Sequence, residues 1–290
     1  MYRRVPLLAL ILLALAAAAC GLLAPGSERL HQQAEAALAR WAEAVGQASN
    51  HGVVFAGELT GQVGDWEESV GENNKEALYA GALRAQSPLP TAAPPPGEVV
   101  WADGSTQAVT LLSANDALRE LVAGATATCA GCTPLEVTGA SLGTATVQTS
   151  RGPATTPVWL FTILGTSVKV TQIAVSNKVS VVPPEWDSNN PPAGLSIESA
   201  VASLDGRHLT VSFTGAPEGA DQPCGADYTA EAVESELAVV VIVIEHRNAL
   251  PGACAGVGAT RTAVADLASP LADRAVLEVR QGLPVPVVTD

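Results

Sequence analysis

Leu237-Ala238-Val239-Val240-Val241-Ile242-Val243-Ile244 is a run of eight apolar residues without a break. A strand with one wet face alternates apolar and polar side chains; this one does not, so both of its faces must meet apolar neighbours. It is far too short to cross a bilayer as a helix. Working outward, Ala200 to Leu204 and His208 to Phe213 flank Asp205-Gly206, the dipeptide favoured by a two-residue type I′ hairpin turn. Thr262 to Leu267 and Ala275 to Val279 are further strand patterns. Short strands at this spacing, separated by turn signals, predict a β-sandwich, immunoglobulin-like in broad architecture, over residues 194–290.

Before it, Pro183-Pro184-Glu185-Trp186-Asp187-Ser188-Asn189-Asn190-Pro191-Pro192 holds four prolines around a polar middle and cannot sustain helix or ladder. Residues 183–193 therefore read as a Pro-rich linker, and residues 27–182 as an α+β domain. In that part, Ser27 is placed as an N-cap, and Leu30, Ala34, Leu38, Trp41 and Val45 fall on one helical face that stops near Gly46. Val53 to Leu59 reads as a strand, and Asn74 opens a helix running through Leu78, Ala82 and Leu83. Glu98 to Ala102 and Ser105 to Leu112 flank a second Asp-Gly turn at Asp103-Gly104. Ser113-Ala114-Asn115-Asp116 resembles a capping box for a helix ending near Ala123. Strands are expected at Leu135 to Thr138, Ala145 to Thr149, Val158 to Leu164 and Val168 to Ser176, with Gly and Pro as punctuation. The fold class expected is thus an α+β N-terminal part followed by an all-β, immunoglobulin-like sandwich domain.

At 290 residues the chain has room for two domains, and 48% hydrophobic against 15% charged residues argues for packed structure. The N-terminus carries a different message. Arg3 and Arg4 precede an apolar stretch from Val5 to Leu15, the pattern of a signal peptide over residues 1–19. Leu15-Ala16-Ala17-Ala18-Ala19-Cys20 resembles the lipobox of bacterial lipoproteins, with Ala17 where that family prefers Leu. The resemblance implies cleavage before Cys20, acylation of its thiol with palmitate-type chains, a tether over residues 20–26, and a protein on the outer face of the cell membrane. More than one chain is needed for stable anchoring, at about 0.8 kcal/mol per buried methylene. Loss of Arg3 and Arg4 takes the basic count from 15 to 13 against 29 acidic residues, so the net charge moves from -14 to -16. With no Lys/Arg cluster to displace counterions, nucleic acid is not an expected partner.

The part from Cys129 onward resembles exported lipoproteins of high-GC Gram-positive, actinobacterial type. The stretches that carry the likeness are Cys129-Ala130-Gly131-Cys132-Thr133-Pro134-Leu135, Thr149-Ser150-Arg151-Gly152-Pro153-Ala154-Thr155, Cys224-Gly225-Ala226-Asp227-Tyr228 and Ala275-Val276-Leu277-Glu278-Val279-Arg280-Gln281-Gly282. It implies location and fold type and carries no activity. Of five cysteines, setting aside Cys20 leaves four, which in an oxidising compartment form two disulfides in one of three pairings. Cys129 with Cys132 and Cys224 with Cys254 is the pairing expected. A redox-active Cys129/Cys132 pair would need a helix opening at the motif, yet a strand pattern follows. Half of a zinc site is the third reading, which lacks two ligands and any second C-x-x-C or H-x3-H spacing.

Gly139-Ala140-Ser141-Leu142-Gly143 matches the nucleophile-elbow pattern of hydrolases, with His208 or His246 as the candidate base. A strand pattern again follows where the elbow needs a helix. Asp227, Glu231, Glu234 and Glu236 crowd one segment, but without the Asp/Asn/Gly interleaving of a calcium loop they read as a solvated strand face. The function expected is binding or structural, with no cofactor, no metal and an unknown protein or envelope partner besides the membrane. The rival class is an extracytoplasmic enzyme, either a thiol redox protein using Cys129 and Cys132 or a hydrolase using Ser141.

Overall fold

A computed structural model describes residues 25–48, 52–66, 74–125, 127–184, 187–248 and 253–290; the leader and Cys20 lie outside them. In chain order the first part contains α1 (Pro25–Ala48), β1 (Val53–Ala56), β2 (Thr60–Val63), α2 (Asn74–Tyr79), β3 (Leu83–Ala85), β4 (Gly97–Trp101), β5 (Thr106–Val109) and α3 (Ala114–Ala123). It continues with β6 (Leu135–Thr149), β7 (Gly152–Ile163), β8 (Lys169–Ile173) and β9 (Lys178–Val181). The second part contains β10 (Ile197–Ala202), β11 (His208–Gly215), β12 (Ala226–Glu234), β13 (Ala238–Arg247), β14 (Ala259–Asp266), β15 (Ala275–Glu278) and β16 (Val287–Thr289). The chain is mostly β, in open mixed sheets with few helices.

Nine strands of the first part form one sheet in the order β2-β8-β7-β6-β1-β9, with β3 alongside β6 and the β4–β5 hairpin against β7. The β6–β7 hairpin is its spine, paired from Val137↔Ile163 to Thr149↔Gly152. The sequence breaks this strand at Gly139 and Gly143; the structure carries β6 through both, with a shift of register between Val137 and Gly139. At Gly143 a Cβ would lie 2.5 Å from Leu160 Cδ1 on β7, so a glycine expected to end a strand instead admits the Leu160 side chain in the position it takes here. Ala114, Ala117, Leu118 and Leu121 of α3 enter the same core as Val137, Phe161 and Ile163. The Ser113 cap forms as expected: its Oγ accepts from Asp116 N at 3.1 Å.

Three expectations need correction here. The helix opened by Asn74 ends at Tyr79, because Gly81 turns the chain at φ 62 against the end of α3, and Leu83 starts β3. Ser27 lies inside α1, which begins at Pro25, and so does not cap it. Both Asp-Gly hairpins form, though with a different turn. Only Gly104 (φ 81) and Gly206 (φ 68) take positive φ, while Asp103 and Asp205 do not. Each Asp instead accepts a backbone bond two residues on, from Ser105 N at 2.8 Å and Arg207 N at 3.0 Å, which favours a longer loop with a single left-handed residue.

The second part is two sheets, β14-β11-β10-β16 and β12-β13-β15, packed face to face. β10 runs parallel to β16 and β13 parallel to β15, a departure from the wholly antiparallel sheets of the immunoglobulin pattern. The unbroken apolar run forms β13, and its two faces enter different cores. Val239, Val241 and Val243 face Leu209, Val211 and Phe213 between the sheets. Ala238, Val240 and Ile242 face Leu30, Ala34, Ala37 and Trp41 of α1.

Helix α1 also covers β1. Val53 and Phe55 enter the core of the nine-stranded sheet, whereas Val54, with Val181 of β9, enters the cluster around α1. One apolar cluster draws on both parts, joining Val54 and Val181 to Ala238, Val240 and Ile242 through α1. Pro191 and Ala193 lie against α1: Ala193 N donates to Gln33 Oε1 at 3.0 Å, Gln33 Nε2 to Ala193 O at 3.2 Å, and Arg29 Nη2 to Pro191 O at 2.7 Å.

Trp41, 1% exposed, is the largest side chain in this shared cluster. Trp41→Ala is expected to lower the unfolding free energy by about 3–5 kcal/mol in a urea titration. A fragment of residues 194–290 leaves Ala238, Val240 and Ile242 without their cover, so it should bind a hydrophobic dye, and a peptide of residues 25–48 should suppress that signal. A dye-silent fragment as stable as the intact chain would mean that the core between the sheets suffices alone.

Candidate functional site

Ser141 sits mid-strand in β6, opposite Leu160, with extended residues on both sides rather than a strand-to-helix turn. His208 lies on β11, where Nδ1 is 2.8 Å from Asp266 Oδ1. His246 is near the end of β13, its Nε2 2.9 Å from Thr229 Oγ1. The three residues belong to three different sheets, so the structure does not assemble the Ser–His constellation that a hydrolase requires.

The four acidic residues on and after β12 are also drawn apart. Asp227 Oδ1 accepts from Ala220 N at 3.2 Å, and Glu231 Oε2 is 3.4 Å from His31 Nε2 on α1. Glu234 accepts from Ala268 N at 2.6 Å and pairs with Arg274 Nη1 at 2.7 Å, with both side chains largely buried. Partial burial alone would raise the Glu234 carboxyl, but the guanidinium and the N–H groups of Ala268 and Ser269 outweigh it and hold it below the usual carboxylate range. Glu236 is exposed in the turn between β12 and β13. Each engaged carboxylate holds a loop or helix in place, and no calcium-type cluster forms among the described residues.

Cys224 and Cys254 face each other with Cα atoms 5.6 Å apart, the spacing a disulfide spans. They join the loops before β12 and after β13 at one end of the sandwich. This end is pinned by residues whose contacts the sequence does not announce. Arg261 of β14 donates through Nη1 to the carbonyl oxygens of Ala216 at 2.7 Å, Pro217 at 3.2 Å and Glu218 at 3.3 Å. The Tyr228 hydroxyl accepts from Ala216 N at 2.6 Å and donates to Glu245 Oε1 at 3.2 Å. Gly225 passes so near Gly219 that a Cβ would lie 1.8 Å from its carbonyl oxygen. Only glycine fits that crossing.

Cys129 and Cys132 also face each other, with Cα atoms 5.6 Å apart, in a turn where Gly131 takes φ 95. The turn runs directly into β6 and opens no helix. Glu76 on α2 lies beside the pair, with Oε2 3.8 Å from Cys129 Sγ. A carboxylate at that distance repels a thiolate, the reverse of the cationic surroundings of redox-active cysteines. Elsewhere, an open cleft of roughly 680 Å³ runs along α3, lined by Leu83, Leu112, Leu118 and Val122 with Asp116 and Arg119. It holds no paired nucleophile and base.

No protein-family model, curated protein or solved structure matches this chain.

The depressed Glu234 carboxyl has a defined pH signature. A carboxyl held below its unfolded value, near 4.5, adds stability above that pH and loses it as pH falls through the folded value. Glu234→Gln should cost about 1–3 kcal/mol at pH 7, and the gap to the native chain should narrow at pH 3.5 in urea titrations. An equal gap at both pH values would show that the loss comes from packing rather than from charge.

Proposed function

We propose that this chain is an extracytoplasmic lipoprotein, held to the outside of the cell membrane by a lipid on Cys20 and serving a binding or structural role. The observation that carries the reading is the N-terminal segment itself. Arg3 and Arg4, the apolar stretch from Val5 to Leu15 and the lipobox-like run ending at Cys20 form one ordered signal. The remaining cysteines lend support, since they lie in two facing pairs and leave the odd one at the end of that signal. Two disulfides also suit an oxidising compartment.

In this reading the anchored part is an α+β region followed by a sandwich that is immunoglobulin-like in the broad sense of two packed sheets. The end of the sandwich tied by Cys224 and Cys254 is the face offered to a protein or envelope partner. Nucleic acid is a poor fit to a chain with 29 acidic and 15 basic residues. The dispersal of Ser141, His208 and His246 weighs against the hydrolase alternative, and the carboxylate beside Cys129 against the redox one.

Cys20→Ala is expected to release the protein from the membrane fraction or to stall the uncleaved precursor. The measurement is detergent phase partitioning with mass spectrometry of the N-terminal peptide. An unmodified mature N-terminus on protein that still fractionates with membrane would refute the lipid anchor.

A further inference from the structure

The turn holding Cys129 and Cys132 has a third donor beside it. Glu76, Cys129 and Cys132 each bring one ligand atom within 4.8 Å of the others, the one such group of three among the described residues. Glu76 is 53 residues from Cys129 in sequence, so the fold rather than a local motif brings it there. Ala77 and Leu78, both buried, fix α2 to the core, while the Glu76 side chain is left at the surface. The parallel pairing of Leu83 with Leu135 ties the segment after α2 to the strand that follows the cysteines. Carboxylate and sulfurs are thereby held from opposite sides of the same joint.

The spacing fits a tetrahedral ion. With Zn–S bonds near 2.3 Å and Zn–O bonds near 2.1 Å, sulfur and oxygen on one zinc lie about 3.6 Å apart, and two sulfurs about 3.8 Å apart. Cys129 Sγ and Glu76 Oε2 are 3.8 Å apart. The two sulfurs need only part from each other, by rotation about their Cα–Cβ bonds, while the Cα atoms stay 5.6 Å apart. We propose that Glu76, Cys129 and Cys132 form a redox-gated site for a thiophilic divalent cation of the zinc class, closed while the cysteines are joined and opened by their reduction.

In the opening step a dithiol reductant gives two electrons and two protons to the Cys129–Cys132 bond, leaving two thiols and the reductant's own disulfide. The cation then displaces both thiol protons to solvent as two metal–sulfur bonds form, and the ionised Glu76 carboxylate supplies the third bond. Two thiolates and a carboxylate against a double positive charge leave the site at minus one. The carboxylate that repels an isolated thiolate here shares a cation with two of them. No fourth His, Cys, Asp or Glu atom joins the group among the described residues; a water or a ligand would complete a tetrahedral set. This site does not depend on the lipid anchor.

The test uses the full chain, reduced with dithiothreitol, desalted without oxygen and titrated with Co2+ as the spectroscopic probe. One equivalent of Co2+ should give the visible and charge-transfer bands of a tetrahedral thiolate site, Zn2+ should displace it, and the oxidised chain should give no such bands. Cys129→Ser combined with Cys132→Ser should abolish the bands even though Cys20, Cys224 and Cys254 remain. Glu76→Gln, at an exposed position, should weaken binding by at least about tenfold, the lower end of what loss of an outer-shell partner costs a metal site. The proposal is overturned if the reduced chain gives no thiolate–cobalt bands, if the double serine variant keeps them, or if Glu76→Gln binds as tightly as the native chain.

Discussion

The alternation of side chains along β13 is the constraint on which the rest of the architecture depends. Successive residues of a strand point to opposite faces, so a strand that is apolar at every position must be covered twice. The facing sheet covers one side of β13; the other would remain open if the sandwich stood alone. Helix α1 closes it, and the same helix lies over Val54 of β1, a second strand with apolar residues on both faces. A single amphipathic helix thus serves two sheets. Its small residues, Ala34, Ala37 and Ala44, permit close approach, and Trp41 fills the space between them.

Much of this was legible in the residues. The two-sided character of Leu237 to Ile244 follows from composition alone, and the apolar stripe of α1 follows from its spacing, although the buried face is turned slightly so that Leu38 and Val45 are half-buried. The Ser113 cap and both Asp-Gly hairpins rest on bonds between near neighbours, where sequence carries most information. What could not be read is long-range. Nothing in Leu135 to Thr149 signals that the Leu160 side chain lies over Gly143, and nothing in β15 announces a parallel partner. The helix expected beyond Tyr79 failed for a similar reason, since the path of Gly81 is set by its contact with Val122 on α3.

The candidate chemistry divides along the same line. Pairings of Cys129 with Cys132 and of Cys224 with Cys254 are inferred from count and spacing, and the fold brings those partners together. Ser141 fails as a nucleophile because its pattern lacks the helix that defines an elbow, a deficiency already visible in Thr144 to Thr149. Glu76, Arg261 and Tyr228 acquire their roles only through folding. Most engaged polar side chains tie the ends of strands to loops: Glu278, 6% exposed, accepts from Arg280 N at 2.9 Å and Gln281 N at 2.5 Å to hold the turn that lies against α1. Burial pushes that carboxyl up and the turn's N–H groups pull it down, with burial the stronger.

The position of α1 in the chain sets a clock. Its apolar face is complete once residue 48 has been made, yet its cover on β13 arrives only with residues 238–247. At about 5–20 residues per second, synthesis of the intervening stretch takes roughly 10–40 s, during which the helix has no final place to bury Trp41. The core of the nine-stranded sheet draws only on residues 53–175 and can close earlier, so it is the seam between the two parts that waits. The cluster that α1 shares with β13 therefore closes last, when nearly the whole length is available.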